Sequence, residues 1–306
     1  MAETEPILAI IGATASGKSA LAMRVAERTG AEILSVDSMQ VYRGMDAGTA
    51  KPTPQERQRV VHHLIDVVRP DETFTVARFV ALADAVIADA AARKARLIAV
   101  GGTPLYFQAL FRGMFQGPGA DPLVRKRLME MPTAELHQRL KRVDPVAAAR
   151  IHPNDLKRLV RALEVYELTG RPISELQTQW ASRQSRHRAV WVGLRWDREA
   201  LNRRINARAR AMIEAGWVEE TRRLVETFGG LSQTAAEAAG YQQILEHIAG
   251  RLSLEDALEQ IKTATRQLAR RQMKWFRRFP DVHWLDGSAP LEQNVRQTVD
   301  LWFGQC

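Results

Sequence analysis

The 306-residue sequence predicts an α/β fold, in which a doubly wound parallel sheet is interrupted by an all-helical insertion domain. Three observations predict this fold. Short apolar runs alternate with segments of helical periodicity over the first third of the chain. A glycine-rich segment joins the first apolar run to the first helical segment. From about residue 121 to residue 188 the periodicity is only helical, and strand-like runs return at residues 189–196 and 282–285.

The glycine-rich segment reads GATASGKS and fits G-x-x-x-x-G-K-[ST], the phosphate-binding P-loop. An apolar run at residues 7–11 precedes it as a buried strand would, and a helical pattern that ends at Gly30 follows it. Backbone N–H groups, the helix dipole, the Lys18 ammonium and the Ser19 hydroxyl suit a di- or triphosphate with Mg²⁺. Ser19 is the predicted Mg²⁺ ligand. The predicted phosphate site consists of Gly12, Ala13, Thr14, Ala15, Ser16, Gly17, Lys18 and Ser19.

Two further strand ends are predicted to share this crevice. The run at residues 32–36 leads into Asp37, and the run at residues 97–100 leads into Gly101, Gly102 and Thr103. Ligands of such sheets lie beyond the carboxyl ends of the strands, so these residues should face the P-loop. Asp37 has three interpretations: an indirect Mg²⁺ ligand, a base that accepts a proton from a substrate, or a cap of the following turn.

The insertion is predicted to leave the core after a hinge at residues 113–119, which are rich in Gly and Pro. Helical patterns cover residues 122–129, 134–143 and 155–168. We therefore predict a core formed by residues 1–116 and 189–306, and an insertion domain of residues 117–188. Residues 121–188 hold 14 Lys and Arg against 8 Asp and Glu, most of the net charge of +9. Either the insertion binds a polyanion or its solvated surface has a chance excess of charge.

A second basic element is the segment TRQLARRQMKWFRRF at residues 265–279. Arg266, Arg270, Lys274 and Arg277 are spaced four, four and three residues apart, so a helix would carry them on one stripe. The segment contains no acid that could neutralise them. This pattern favours a helix that lies along a phosphate backbone, and the alternative is a helix at a membrane surface.

Composition limits the class of protein. Apolar residues form 45% of the chain, which is enough for a full core, and the pI of about 10.1 favours a polyanionic partner. The single cysteine, Cys306, allows no disulfide within the chain, which suits a reducing compartment. The N-terminus lacks the basic region of a signal peptide, and no apolar run is long enough to span a bilayer. We expect a cytoplasmic monomer without a membrane partner.

Seven collinear blocks carry a resemblance to a known family. They are GATASGKS, SVDSMQVYRGMDAGTAKP, HHLIDV, VGGTPLY, RIHPNDLKRLVRALEVYELTG, AGYQQ and ATRQLARRQMKWFRR. Together they resemble the bacterial tRNA dimethylallyltransferases (the tRNA isopentenyltransferase family) over nearly the whole chain. One departure is Arg270, where the family pattern has Lys, and this exchange keeps the charge.

The resemblance implies transfer of an isopentenyl group from dimethylallyl diphosphate to the exocyclic amine of the adenine just 3′ of the tRNA anticodon. The implied catalytic residues are Asp37, Thr103 and Arg125. Asp37 would accept the amine proton, Thr103 would orient the donor or the base, and Arg125 would neutralise the departing diphosphate. The implied contacts with the tRNA anticodon stem-loop are Asp37, Ser38, Met39, Gln40, Lys157, Arg158, Arg161, Gly240, Tyr241, Arg266, Arg270, Arg271, Gln272, Lys274 and Arg277.

Several alternatives stay open at the level of sequence. Tyr42 either stacks on a base or belongs to the core, and the adjacent His62 and His63 make no convincing metal site because neighbouring side chains point apart. The same crevice would also suit a small-molecule or nucleoside kinase, which the basic elements argue against. A non-catalytic RNA-binding P-loop protein is the third possibility, and Asp37 and Thr103 beside a complete P-loop argue against it.

Overall fold

A computed structural model of the chain describes residues 5–115, 117–177 and 185–304. The predictions about residues 1–4, Gln116 and Cys306 therefore concern positions outside the described residues. The chain divides into two compact units, which we call the core unit (residues 1–111 and 187–306) and the helical unit (residues 112–186). Within the described residues, no helix is both long enough and apolar enough to cross a lipid bilayer.

One six-stranded, all-parallel sheet organises the core unit. Its order is β3-β2-β4-β1-β5-β6. The strands are β1 (Ile7–Gly12), β2 (Glu32–Ser35), β3 (His62–His63), β4 (Leu97–Gly101), β5 (Ala189–Arg195) and β6 (Val282–Asp286). The predicted α/β fold is confirmed. The sequence analysis missed β3, because a two-residue strand is too short to show periodicity.

The helices fall into the two units by position. The described helices of the core unit are α1 (Lys18–Thr29), α2 (Pro54–Arg59), α3 (Val76–Arg93), α4 (Pro104–Arg112), α10 (Arg198–Glu214), α11 (Trp217–Phe228), α12 (Gln233–Ala236), α13 (Tyr241–Ile248), α14 (Leu254–Phe276) and α15 (Leu291–Phe303). The described helices of the helical unit are α5 (Pro122–Met129), α6 (Thr133–Val143), α7 (Pro145–Arg150), α8 (Leu156–Thr169) and α9 (Ile173–Leu176). The basic helix α14 begins earlier than its charge pattern indicates, because Ser253 caps it by accepting the Asp256 N–H.

Both faces of the sheet are covered, which explains the continuous apolar runs. In β1, Ile7, Ala9 and Ile11 belong to a buried cluster on one face, and Leu8 and Ile10 belong to a second cluster. Alternate residues of a strand point to opposite faces, so a strand with helices on both sides needs apolar residues at every position. β1 is therefore buried along its whole length up to Gly12, where the P-loop begins.

The helical unit has a hydrophobic core of its own, in which Leu128, Leu136, Leu140, Leu159 and Leu163 are fully buried. Aspartate side chains cap three of its helices by accepting backbone N–H groups, and α8 ends at Gly170 in the left-handed conformation. The capping residues are Asp121, Asp144 and Asp155. Sequence and packing thus agree on a separate helical body within the chain.

Candidate active site

The P-loop turns from β1 into α1 and leaves the first N–H groups of α1 open. Gly17 adopts φ 92° as the N-cap residue and contributes no side-chain cap. Among the described residues, no acceptor binds the backbone N–H groups of Lys18, Ser19 and Ala20. Unpaired N–H groups at a helix N-terminus, together with the helix dipole, attract an anion.

Two side chains hold the P-loop from outside. The Trp196 indole N–H donates to the Ser16 carbonyl at 2.9 Å, and Arg204 Nε donates to the Ala15 carbonyl at 2.9 Å. The Arg204 guanidinium lies 4.4 Å from the centre of the Trp196 ring, so the two side chains support each other. In a trans peptide the N–H points opposite to the C=O. Because the Ser16 carbonyl points toward Trp196, the N–H group of the same peptide unit, which belongs to Gly17, points away from it. The N–H group that follows the Ala15 carbonyl points away from Arg204 in the same way.

Two cations meet at the P-loop. Lys18 is partly buried, and its ammonium donates to the Ala13 carbonyl at 3.2 Å. Burial, and then the nearby Arg208 guanidinium, lower the pKa of Lys18 to about 8, while the carboxylate of Asp37 acts in the opposite direction. Burial also lowers the pKa of Arg208, with Asp37 again opposing the shift. Two cations near one carboxylate leave an excess of positive charge that suits a diphosphate.

The sequence analysis missed Arg208, which has no ion pair with any acid of the described residues. It lies on α10, one helical turn after Arg204, so both side chains project from one face. α10 follows β5, which pairs with β1 in the sheet. Arg204 and Arg208 are spaced four residues apart on the helix that follows β5, the strand beside β1. This spacing could have identified Arg208 from the sequence.

Asp37 both caps its turn and keeps one oxygen available. Its Oδ1 accepts the N–H groups of Met39 at 2.9 Å and Gln40 at 3.4 Å. No described residue is bonded to Oδ2. The turn-cap and proton-acceptor interpretations are thus compatible, because each uses a different oxygen. An Asn at this position would keep the cap and lose the base.

Thr103 lies against the Asp37 turn. Its Oγ1 accepts the Ser38 N–H at 3.1 Å and lies 3.4 Å from Ser38 Oγ. A Cβ added to Gly102 would lie 3.5 Å from the Lys18 ammonium nitrogen. The structure therefore brings the P-loop, the Asp37–Ser38 turn and the Gly102–Thr103 turn together at the carboxyl ends of β1, β2 and β4.

Gln272, a predicted tRNA contact, is buried with an exposed fraction of 8%. Its Oε1 accepts the Thr14 N–H at 2.9 Å, and its Nε2 donates to the Gly102 carbonyl at 2.6 Å. Both ends of the amide are thus bonded inside the protein, to the P-loop on one side and to the turn after β4 on the other.

Tyr241 and Gly240, also predicted tRNA contacts, are buried too. The Tyr241 hydroxyl donates to Glu220 at 2.7 Å, and a Cβ on Gly240 would overlap the ring of Trp217. Glu220 also accepts backbone N–H groups of the loop that follows the Asp37 turn, from Asp46 and Ala47 at 2.9 and 2.7 Å. These residues fix that loop from behind.

Gln40 and Tyr42 serve the same loop. The Gln40 amide accepts from Ser35 Oγ at 2.9 Å and lies within hydrogen-bond reach of the Thr49 and Ala50 carbonyls. Tyr42 is fully buried, and its hydroxyl is 2.7 Å from Thr234 Oγ1. Of the two interpretations of Tyr42, the structure supports the core residue.

Exposed cations cover one side of α14. Arg270, Arg271, Lys274 and Arg277 are exposed, and none of them forms an ion pair with an acid of the described residues. Arg266 differs, because it is partly buried and its guanidinium donates to Asn206 Oδ1 at 3.0 Å and to Thr263 Oγ1 at 2.9 Å. The free charges of the stripe are therefore in its C-terminal half.

Arg125 lies in the helical unit, where it is paired with a buried acid. Its guanidinium donates to Glu164 at 2.8 and 3.1 Å, and Arg161 donates to the same carboxylate at 2.6 Å. Burial opposes ionisation of Glu164, but the hydrogen bonds from Arg125, Arg161 and the Asp121 N–H outweigh it and keep its pKa below the ordinary value. The catalytic role of Arg125 stays a prediction.

The two other basic residues predicted for RNA contact are on α8. Lys157 and Arg158 are exposed in its first turn, and Arg158 is 3.3 Å from the Asp155 carboxylate. They occupy the N-terminal end of the helix that carries Glu164 and Arg161. Their contact with tRNA also stays a prediction.

The residues around the P-loop fit a Mg²⁺ ion bound through phosphate oxygens. The Ser19 hydroxyl is exposed in the first turn of α1 and is a hard oxygen donor. Within the described residues no group of three or more His, Cys, Asp or Glu could hold a metal ion by itself. A substrate diphosphate would have to complete the coordination, as is usual for Mg²⁺.

The family model described as IPP transferase matches residues 40–279. A tRNA dimethylallyltransferase of Geobacter metallireducens is 48% identical over 288 residues, which cover 93% of this chain and 93% of that protein. A tRNA dimethylallyltransferase of Moorella thermoacetica is 45% identical, and the match covers 97% of each chain. The P-loop and Asp37 precede the matched region.

Solved structures agree with the sequence comparisons. The tRNA isopentenylpyrophosphate transferase of Bacillus halodurans is 36% identical with a TM-score of 0.73, and the match covers 98% of this chain and 96% of that one. A eukaryotic dimethylallyltransferase acting on tRNA is 28% identical with a TM-score of 0.83, and the match covers 97% of this chain and 78% of that one. The similarity thus extends along nearly the whole chain.

Proposed function

The chain belongs to the IPP transferase family, and we propose that it transfers a dimethylallyl group from dimethylallyl diphosphate to tRNA. The acceptor is the exocyclic N6 amine of the adenine 3′-adjacent to the anticodon, and diphosphate is released. The protein is thus a tRNA-modifying prenyltransferase.

The observation that supports this chemistry best is the position of the Asp37 carboxylate beside a cationic phosphate site. One of its oxygens has no hydrogen-bond partner among the described residues. Lys18 and Arg208 are both close enough to Asp37 for its charge to act on their pKa values. The cations suit the leaving diphosphate, and the free Oδ2 of Asp37 suits a proton acceptor. A transfer from a diphosphate to an amine needs both groups in one site.

The proposed step forms one bond between N6 and the allylic carbon of the donor and breaks the bond between that carbon and the bridging oxygen. The adenine amine is a poor nucleophile because its lone pair is delocalised into the ring. Asp37 Oδ2 takes the N6 proton as the new bond forms. The electron pair of the broken bond leaves with the diphosphate, where Lys18, Arg208 and the open N–H groups of α1 stabilise the negative charge.

We propose Mg²⁺ as the cofactor, with Ser19 as the protein ligand and diphosphate oxygens as the others. When bound, the ion supplies further stabilisation of the leaving diphosphate. Asp37 acts on the amine, so its free oxygen is reserved for the proton.

We propose two separate contact surfaces for the tRNA anticodon stem-loop: the exposed cations of α14 in the core unit and the basic first turn of α8 in the helical unit. The target adenine must leave its stack to reach Asp37, which costs a few kcal/mol, and contacts with the rest of the loop offset this cost. We propose that the protein acts as a cytoplasmic monomer.

The test is an incubation of the protein and bulk tRNA with labelled dimethylallyl diphosphate or, separately, labelled ATP. We expect the dimethylallyl label alone to enter RNA, on the predicted adenine.

In Asp37→Asn the turn cap stays and the base is lost, so the rate should fall by about 10²–10⁴, with tRNA affinity changed less than about threefold. Asp71→Asn, which alters an exposed carboxylate paired with Arg69, is the control. An Asp37→Asn rate within threefold of the unsubstituted enzyme would reduce Asp37 to a turn cap, and phosphate label in RNA would indicate a kinase.

A further inference from the structure

Gln272 connects the two halves of the proposed site with one side chain. Its amide oxygen accepts from Thr14 of the P-loop at 2.9 Å, and its amide nitrogen donates to the Gly102 carbonyl at 2.6 Å. The second bond is buried, and 8% of the residue is exposed. A buried amide that is bonded at both ends holds its partners in one relative position.

On the P-loop side, Gln272 uses an N–H that a phosphate could otherwise take. The Thr14 N–H is bonded to the Gln272 oxygen, whereas the N–H groups of Lys18, Ser19 and Ala20 have no acceptor among the described residues. The first part of the P-loop is thus anchored to α14, and the second part is left open for the diphosphate.

On the other side, the contact leads to the proposed base. A Cβ on Gly102 would lie 2.7 Å from Gln272 Nε2, so a side chain at this position would displace the Gln272 amide. The next residue, Thr103, accepts the Ser38 N–H at 3.1 Å, and Ser38 follows Asp37 directly. A chain of contacts thus runs from the P-loop through Gln272, Gly102 and Thr103 to the turn that holds Asp37.

We propose that Gln272 is a positioning residue that fixes the diphosphate-binding P-loop at the correct distance from the turn of Asp37. This inference rests on the proposed function, and it replaces tRNA contact as the role of Gln272. A displacement of about 1 Å between reacting groups can cost about 10²-fold in rate. An amide suits the task because it has an acceptor and a donor side by side.

The experiment compares Gln272→Met, Gln272→Asn and Gln272→Glu in the full-length protein with tRNA and dimethylallyl diphosphate. Met fills the space without either hydrogen bond, and Asn is one methylene shorter. We expect kcat to fall by about 10–100-fold in Gln272→Met, while KM for tRNA and the binding of inorganic pyrophosphate change less than about threefold. Gln267→Met is the matched control, since Gln267 is exposed on the same helix, and its kcat should be unchanged.

Gln272→Glu separates positioning from general loss of structure. An ionised Glu accepts from Thr14 but cannot donate to Gly102, whereas a protonated Glu can do both. Its kcat, relative to that of the unsubstituted enzyme at the same pH, should therefore rise as the pH falls from 7.5 to 5.5. Melting temperatures identify variants that fail to fold. The pH dependence of kcat in Gln272→Glu then distinguishes a positioning role from a general loss of structure.

Three results would overturn the inference. A large rise in KM for tRNA with unchanged kcat would show that Gln272 contacts RNA. Unchanged kcat in all three variants would show that the two hydrogen bonds of Gln272 do not affect the reaction. A relative rate of Gln272→Glu that does not depend on pH would show the same. If the unsubstituted protein transferred no dimethylallyl group, the proposed function would fail, which is a different outcome from an active enzyme with unaffected variants.

Discussion

Replacement of Lys18 by Met should stabilise the ligand-free protein while it impairs diphosphate binding. The Lys18 ammonium lies in a partly buried position close to Arg208, and its pKa is lowered from 10.5 to about 8. A lowered pKa means that the folded state disfavours the charged form of the lysine. Met keeps the length and the apolar stem of the side chain, so it removes the unfavourable charge with little change in packing.

The expected size follows from the pKa shift. One pKa unit corresponds to about 1.4 kcal/mol, so a shift from 10.5 to about 8 destabilises the folded state by about 3 kcal/mol at neutral pH. The variant also loses the hydrogen bond from Lys18 to the Ala13 carbonyl, which contributes about 1 kcal/mol. The net gain should be about 2 kcal/mol, or roughly 4–8 °C in melting temperature for a body of this size.

The dependence on pH tests the cause. Below pH 8 the lysine is charged in both the folded and the unfolded state, and the full gain of Lys18→Met should appear. Between pH 8 and 10.5 the folded protein releases the proton while the unfolded chain keeps it, so the charge contribution to the gain should shrink and vanish above 10.5. Melting curves at pH 6.5, 8 and 9.5, with and without inorganic pyrophosphate, measure this. Lys94→Met, at an exposed lysine, is the control and should show no gain.

Two results would refute the reasoning. A Lys18→Met protein that melts below the unsubstituted protein at pH 6.5 would show that the ammonium stabilises the ligand-free site. A gain that is equal at pH 6.5 and 9.5 would assign the effect to packing and not to charge. Pyrophosphate should raise the melting temperature of the unsubstituted protein more than that of the variant, because ligand binding stabilises only a site that holds it.

Two other perturbations test the metal and the RNA surface. Removal of Mg²⁺ by a chelator, and Ser19→Ala in its presence, should each lower the transfer rate with dimethylallyl diphosphate, and equal rates with and without chelator would exclude the metal role. Replacement of Arg270, Lys274 and Arg277 by Gln should weaken tRNA binding and lower the log–log salt slope by about 0.7–0.9 for each lost phosphate contact. Arg28, Arg93 and Lys94, which end α1 and α3 before β2 and β4, give a control with the same change of charge, and equal slopes in both triple variants would contradict the assignment.

The sequence predicted the strand ends of the site because their physics is local. A buried parallel strand shows itself as an apolar run, and the residue that follows it must face the crevice. Asp37 and Thr103 were identified in this way, and the structure joins their turns through Ser38. The P-loop was equally clear, since its glycines and Lys18 are required by the anion and by the turn.

The missed residues act through tertiary contacts that no local pattern records. Arg208 and Trp196 reach the P-loop from elements that lie nearly 200 residues later in the chain, and the sequence does not show what they face. The family resemblance placed Gln272 among the tRNA contacts, yet it occupies the buried side of its helix. A stripe of charges predicts the solvent side of a helix, and it also implies that intervening residues such as Ala269 and Gln272 point inward.

The unfavourable burial of two cations at the P-loop agrees with the proposed chemistry. An enzyme gains rate only from interactions that strengthen toward the transition state. In the donor, the oxygen next to the allylic carbon is an ester oxygen with little charge, and it gains negative charge as the bond breaks. Lys18 and Arg208 are held close together without enough carboxylate to neutralise them, so the charge that develops on the leaving diphosphate relieves their repulsion. The carboxylate of Asp37 opposes the lowering of both pKa values, and it becomes neutral when it accepts the amine proton. Proton transfer and departure of the diphosphate should therefore be coupled, because the loss of the Asp37 charge strengthens the pull of both cations on the leaving group.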